Sequence, residues 1–435
     1  MGNNFSPLTI AQRARTASLA LQASSAVVRS RALLLSARNL VRHKRAIIAA
    51  NKADLAQAKG KVPQAFLDRL SLNAKRFRDM EEAVQEIARQ SDPLNELVEQ
   101  KKLKNGVVLK KVRVPIGVLF IIYEARPHVT ADAAALALRA GNAVILKGGS
   151  EARSTNRLIA QCFQQALKSA GLPLHAVQFI DTADRTVVKK LLKCADDIDL
   201  VIPRGGYGLV KWARKESDIP SLSHAEGLDH TYVDASADIP LALKVIVNAK
   251  TSFPAACNSL DTLLVHKKIA PQLLPLLQNG LIPYHVELRC DTAALRIFKS
   301  RKPPLISPPY QGGEGEVSIK AATAKDWDTE YLSLTMGIRI VPNVDEAIAH
   351  INAHGSKHSE GIIARDKKTI ALFKKNVDAA GIFVNCSTRL HDGGVFGLGA
   401  EMGINTGKLH ARGPVGAREL TTYKWIAEGK GQIRT

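Results

Sequence analysis

The 435-residue chain is too long for one ordinary hydrophobic core and predicts two or three structural units, while its 46% apolar and 23% charged content excludes wholesale disorder. A formal charge of +21 favours anionic partners, but Lys and Arg are scattered and aromatics make up only 5%, so it reads as a solvated basic surface around anion sites and argues against nucleic acid. Five cysteines, an odd number without a CxxC pair, argue against a disulfide framework or zinc knuckle and for a reducing cytoplasm, and no run of about 18 apolar residues predicts a membrane span.

In chain order, Leu and Ala recur at helical spacing from about Thr9 to Ala58, predicting an N-terminal helical layer. After Asn105-Gly106, the stretch VVLKKVRVPIGVLFIIYE passes from alternation to a continuous apolar run, as where an exposed strand leads into a buried one, with Pro115-Ile116-Gly117 at the join. A helix over 130–139 stopped by Gly141, the strand AVILKGG, a helix through Ala170, and strands VQFID, DLVIPRGG and TYVD make 118–233 a parallel sheet with crossover helices. Such sheets bind ligands beyond the carboxyl ends of their strands, where the glycine-rich turns fall. A second α/β run follows: helix LALKVIVNAK, a turn holding Cys257, strand DTLLVH, helix PQLLPLLQN and strand HVELR. The Pro- and Gly-rich 302–316 is expected to be a mobile surface insertion, beyond which GIRIVP, DEAIAHINAH, GIIARD and GIFVN resume the α/β pattern.

Lys147-Gly148-Gly149-Ser150 follows a buried strand and precedes a helix, so its amides and its lysine are candidates to meet phosphate or ribose oxygens. Gly205 and Gly206, in PRGGYG, repeat the arrangement and would let a pyrophosphate or nicotinamide approach the backbone. Cys257, in FPAACNS, lies between a helix and a strand among small residues that leave a thiolate reachable, with an amide of Asn258 adjacent to hold an oxyanion; the alternative is a buried structural cysteine. Cys162, Cys194 and Cys386 sit in apolar patterns and read as structural. His350, His354 and His358 have helical spacing, but Gly355 interrupts it and no ligand-patterned carboxylate accompanies them, so no metal is expected. GxSxG and a Walker lysine are both missing, which removes support for hydrolase and kinase readings.

YEARPHVTADAAALALRAGNAVILKGGSEA, DLVIPRGGYGLV, NAKTSFPAACNSLDTLLVH, VNCSTRLHDGGVFGLGAEMGI and KLHARGP occur in one fixed order, and over nearly the whole chain they resemble the γ-glutamyl phosphate reductases of the aldehyde dehydrogenase superfamily. The resemblance implies an aldehyde dehydrogenase-like α/β fold. It would comprise a Rossmann-type NADP-binding domain with the helical layer (1–104 and 116–233), an α/β catalytic domain (234–405) and a β-hairpin oligomerisation element with a tail (105–115 and 406–435). It further implies a thioester on Cys257, reduced by NADPH in proline biosynthesis, and a homo-oligomer supplied by a glutamate kinase. By the same resemblance Lys147, with Gly148 and Ser150, contacts the adenosine ribose or its 2′-phosphate, Gly205 and Gly206 form the pyrophosphate and nicotinamide turn, and Glu330 grips the nicotinamide ribose. Arg126, Arg389 and Arg412 are candidates for the substrate's phosphate and α-carboxylate, since guanidinium pairs such groups in a bidentate way.

Two departures stand out against that pattern. Where the family reads Arg-Pro-Asn this chain has Arg126-Pro127-His128, so a histidine N–H would take the place of the asparagine that helps hold the oxyanion. The 302–316 insertion has no family counterpart. His224 stands where hydrolytic relatives carry a water-activating glutamate, which favours reduction or acyl transfer over oxidation to an acid.

Overall fold

The computed structural model describes residues 6–124, 126–222, 227–300 and 317–434. The expected insertion at 302–316 and the position of His224 lie outside these residues. The chain forms two compact units, one of Met1–Ser223, Gly393–Gly403 and Leu409–Thr435, the other of His224–Asp392 and Ile404–Lys408.

The first unit opens with helices α1 (Pro7–Ala23), α2 (Ala26–Arg42), α3 (Lys44–Ala58), α4 (Gln64–Leu70) and α5 (Ala74–Arg89). The Ser25 and Asn73 side chains cap α2 and α5 by accepting from the amides of Val28 and Arg76. Next come β1 (Leu97–Lys102), β2 (Val108–Pro115), β3 (Val118–Tyr123), α6 (Pro127–Arg139), β4 (Ala143–Lys147), α7 (Arg153–Ser169), β5 (Val177–Phe179), α8 (Arg185–Leu191), β6 (Leu200–Arg204) and α9 (Tyr207–Glu216). Strands β3 to β6 form a parallel sheet in the order β5-β4-β3-β6. All six residues of β3 are buried, as its unbroken apolar run requires of a central parallel strand. Eleven of the thirteen residues of α6 are buried, because its alanines let it lie close against β4, α2, α5 and α7.

Gly117, at the join between β2 and β3, has φ +132°, and a Cβ there would fall 2.2 Å from Asp199 Oδ2. That carboxylate accepts from the Val118 amide at 2.7 Å and pairs with Arg15 at 2.9 Å. Glycine is therefore required twice over, by dihedral and by space.

The hairpin expected over 105–115 is wider. Strand β1 pairs antiparallel with β2, and the C-terminal strand Thr421–Glu428 pairs with the other edge of β2. All six residues of β1, LVEQKK, are exposed, so no apolar alternation marks it as a strand.

The second unit runs β7 (Asp229–Val233), α10 (Ile239–Thr251), β8 (Leu260–His266), α11 (Ala270–Leu281), β9 (Glu287–Cys290), α12 (Thr292–Ser300), β10 (Ile319–Ala321), β11 (Thr335–Val341), α13 (Val344–His354), β12 (Ser359–Ile363), α14 (Lys367–Asn376) and β13 (Gly381–Val384). Its seven strands are all parallel, in the order β10-β9-β11-β8-β7-β12-β13. Here the structure corrects the expected division at 233: β7 hydrogen-bonds to β8 and β12 and so belongs to the second sheet. Residues 393–403, expected in the catalytic domain, pack with the first unit instead, as in the Met402–Val415 backbone bonds.

Candidate active site

In the second unit the chemically active side chains gather at the amino ends of strands, on the segments that lead into β7, β8, β11 and β12. Cys257 lies between two tight turns, closed by Ala256 N–H to Phe253 O at 3.1 Å and Ser259 N–H to Ala256 O at 3.0 Å. Its loop is held from the side by the turn at 387–391. The Asn258 side-chain amide donates to His391 O at 2.9 Å, and Thr388 Oγ1 donates to Asn258 O at 2.8 Å. The same turn reaches β12: His391 Nδ1 lies 2.8 Å from Ser359 Oγ, which lies 2.7 Å from His358 Nδ1. Cys257 lies close enough to bear on the electrostatics of both the His358 imidazole and the Arg389 guanidinium.

Gly227 closes the other side. A Cβ there would fall 1.9 Å from Cys257 O, so only glycine lets the two backbones meet, and its amide donates to Glu330 Oε1 at 3.1 Å. Cys257, Asn258, Glu330 and Arg389 thus share one neighbourhood in the second unit. The Asn258 side chain is turned to the His391 carbonyl and anchors the loop, which leaves its backbone amide as the oxyanion candidate.

Beneath the loop lies a buried polar layer that the motifs did not reveal. Asp229, the first residue of β7, is fully buried, accepts from Ser359 N at 2.9 Å and lies 3.6 Å from His358 Nδ1. Glu360 Oε2 accepts from the His230 backbone N–H at 2.9 Å and lies 3.1 Å from the His230 ring Nδ1. Lys250 sits 3.6 Å from Asp261 with both side chains buried. Burial pushes Asp229 up to about 7, Asp261 up to about 8 and Glu360 well above the carboxylate range. For His358 burial opposes the charged form, yet Cys257 and Asp229 outweigh it and hold the imidazole well above its ordinary value. Burial and the charge of His358 hold the neighbouring His391 down at about 3.

Burial pushes the thiols of Cys162 and Cys290 up to about 12, and those of Cys194 and Cys386 also upward. An apolar pocket that disfavours a thiolate suits the structural role expected of Cys162, Cys194 and Cys386. His350 and His354 share one face of α13, with ring centroids 4.4 Å apart, whereas His358 lies beyond Gly355, at the head of β12. Among the described residues no group of three or more His, Cys, Asp or Glu is arranged to hold a metal ion.

In the first unit the candidates occupy the carboxyl ends of the parallel strands. Lys147 ends β4, and its ammonium donates to Gly148 O at 2.6 Å. Burial lowers its proton affinity, with Glu151 partly opposing that, so an anion arriving at this half-buried cation would relieve its desolvation, which fits a phosphate or ribose contact. Ser150 is exposed at the start of the short turn leading to α7.

Gly148 and Gly205 have another reason to be glycine. A Cβ on Gly148 would lie 2.2 Å from Asn156 Nδ2, and one on Gly205 would lie 2.6 Å from the Glu124 carboxyl carbon. Gly206 N–H donates to Glu124 Oε1 at 3.1 Å, so the amide expected to meet a pyrophosphate holds a carboxylate of the protein itself.

His128 is the second residue of α6, which begins just after Arg126. Burial, then the guanidiniums of Arg126, Arg204 and Arg76, push it down to about 3, leaving a neutral imidazole whose ring N–H can still donate. Arg126 and Arg412 are both half-buried in this unit, whereas Arg389 belongs to the other.

The chain matches the model of the aldehyde dehydrogenase family over residues 8–287. It is 44% identical to γ-glutamyl phosphate reductase of Escherichia coli O81 (strain ED1a) over 422 residues, covering 97% of this chain and 98% of that one. It is 43% identical to the protein of the same name from Clostridium botulinum (strain Eklund 17B / Type B) over 424 residues, again covering 97% and 98%. The crystal structure of γ-glutamyl phosphate reductase from Thermotoga maritima superposes with a TM-score of 0.91 at 39% identity, over 99% of this chain and 100% of that one. With its two parallel α/β sheets and a cysteine loop at the head of the second, the chain belongs to the γ-glutamyl phosphate reductases of the aldehyde dehydrogenase family.

Proposed function

We propose that the chain reduces L-glutamyl 5-phosphate to L-glutamate 5-semialdehyde, with release of phosphate, through a thioester on Cys257. The observation that carries this reading is the setting of Cys257, on a loop pinned to Gly227 and the 387–391 turn with His358 and Arg389 beside it. A thiolate converts an acyl phosphate into a thioester, an acyl group that accepts hydride readily. Hydride is what a bound NADPH supplies. The residues then divide the work: Cys257 attacks, the Asn258 backbone amide and the His128 ring N–H hold the oxyanion, and Arg126, Arg389 and Arg412 hold the phosphate and α-carboxylate. Lys147 takes the adenosine ribose or its 2′-phosphate, with Gly148, Ser150, Gly205 and Gly206 shaping the turns. Glu330 takes the nicotinamide ribose.

The reaction consumes a labile acyl phosphate, so a kinase acting on glutamate must supply it. Three cysteines of at least partial exposure, all free, suit a reducing cytoplasm. The three-stranded sheet built on β1 and β2 is the element expected to pair with a second copy. The test is phosphate-dependent reduction of NADP⁺ by glutamate 5-semialdehyde, repeated with NAD⁺ and with Cys257→Ser. Activity that needs phosphate, prefers NADP⁺ and disappears in the variant is expected. Activity that needs coenzyme A instead of phosphate would overturn the substrate, and undiminished Cys257→Ser activity would overturn the nucleophile.

A further inference from the structure

We propose that Lys250 and Asp261 are positioning residues for Glu330: their buried ion pair clasps the base of the cysteine loop and holds the backbone next to Glu330, so that this carboxylate is presented to the nicotinamide ribose in one place. The inference deepens the reading of Glu330 given above and rests on it.

Lys250 lies in the last turn of α10, where a lysine ordinarily runs its stem along the surface and keeps its ammonium in water. Here the whole side chain is buried, and the ammonium stands 3.6 Å from Asp261 Oδ1, which is buried as well. Among the described residues Nζ makes no hydrogen bond, and the face of Tyr331, with its ring centroid 5.9 Å away, lies on another side of it. Burial raises Asp261 to about 8 and lowers Lys250, against the attraction between them. A pair so incompletely satisfied is a poor way to stabilise a core, since an apolar pair of the same volume commonly does as well or better. What it supplies is direction.

Three contacts lead from the pair to Glu330 and back to the nucleophile. The Tyr331 N–H donates to Asp261 Oδ1 at 3.2 Å, the same oxygen that faces Lys250, and the Tyr331 hydroxyl donates to Asp326 Oδ1 at 3.0 Å, so this residue is pinned at both ends. Glu330, one position earlier, accepts from the Gly227 N–H at 3.1 Å, and Gly227 is the residue that leaves no room for a Cβ beside Cys257 O. Ser259 Oγ donates to Ala249 O at 3.3 Å, next to Lys250. Cys257 therefore sits on a loop whose two feet, Lys250 and Asp261, are the paired charges.

The Glu330 segment needs such a restraint. Its outer ends are fixed by Thr329 Oγ1 donating to Lys325 O at 2.7 Å and by Glu287 N–H donating to Leu334 O at 2.8 Å. Between them the chain has no regular structure, and Leu332 sits at φ +51°, a left-handed conformation that a bulky side chain adopts only where its surroundings impose it. The bond from Tyr331 crosses from this segment to β8, and Lys250 fixes the carboxylate that receives it. A carboxylate held this way is already aimed when the ribose arrives, and the entropy of ordering it is not spent on binding.

The experiment titrates NADPH into the full chain without substrate, read by the change in its fluorescence, and separately follows alkylation of Cys257 by iodoacetamide without cofactor. Lys250→Met and the double variant Lys250→Met/Asp261→Leu are set beside Glu330→Ala. Replacing both charges with apolar groups of similar volume is commonly neutral for folding, so the double variant should melt close to wild type. It removes the acceptor for Tyr331, so its Kd for NADPH should rise about tenfold or more, into the range of Glu330→Ala, with Lys250→Met between. Alkylation should stay within about threefold of wild type, because Asn258, Thr388 and Gly227 still hold the cysteine loop. A folded double variant that binds NADPH like wild type, while Glu330→Ala binds weakly, overturns the proposal, and so does a lowered melting temperature with altered alkylation and unchanged affinity, the mark of a structural role alone. Should the double variant fail to fold, Lys250→Met decides by the same comparison. Wild-type affinity in Glu330→Ala would refute the reading of Glu330 itself, and the positioning role with it.

Discussion

Replacing Gly227 by alanine tests the most crowded point of the cysteine loop. The new Cβ would stand 1.9 Å from Cys257 O, 2.6 Å from its carbonyl carbon and 2.7 Å from its Cα. Contacts with backbone atoms cannot be relieved by a rotamer change, and ordinary van der Waals contact begins near 3.4 Å, so the two segments must separate by about 1.5 Å. Either the sulfur moves with its loop, or residue 227 moves and breaks the 3.1 Å bond that Glu330 accepts. Misplacement of a reacting group by about 1 Å costs on the order of 10²-fold in rate, so kcat/KM should fall by at least that factor. The loop sits at the rim of the sheet and outside its packed core, so thermal unfolding should show a folded protein. Steady-state kinetics and a melting curve on Gly227→Ala suffice, and a variant within threefold of wild type in kcat/KM would refute the geometry.

Glu360 offers a stability test whose sign follows from its burial. Its folded-state value is raised above the unfolded one, so its contribution is complete below the unfolded range and is lost as pH rises through the folded value. Glutamine cannot ionise, so the unfolding free energy of Glu360→Gln relative to wild type, from denaturant titrations, should climb as pH rises above about 5, at a limiting slope of about 1.4 kcal/mol per pH unit; a constant difference would mean that the wild-type carboxyl ionises freely. Lys147→Ala should raise KM for NADPH by about 10- to 100-fold with little change in kcat, the loss expected when one charged hydrogen bond remote from the reacting atoms is removed. Direct titration with NADP⁺ should show the same weakening, and unchanged binding would move the 2′-phosphate contact elsewhere.

What the sequence displayed and what it hid follow from how far each signal reaches along the chain. The apolar run of β3, the alanine-rich α6 and the cysteine turn before β8 are local patterns, and each stands where it was expected. Strand β7 was assigned to the first sheet because TYV is as apolar as any buried parallel strand, and nothing within it says which neighbours will accept its hydrogen bonds. Strand β1 escaped for the opposite reason, being polar and exposed along its whole length. Gly205 was read as room for a ligand to approach the backbone, and in the structure the Glu124 carboxyl also comes close to it; Gly148 is likewise crowded by Asn156. His358 illustrates the deepest limit. In sequence it continues a helical run of histidines that resembles a metal face, yet Gly355 ends α13 and the chain turns into β12. The register that pairs Glu360 with His230 then brings His358 beside Asp229. The two residues are 129 positions apart, and only the pairing of adjacent strands makes them neighbours. A motif can therefore point to a candidate nucleophile, while the polar groups buried beneath its loop come from sheet register, which no window along the chain contains.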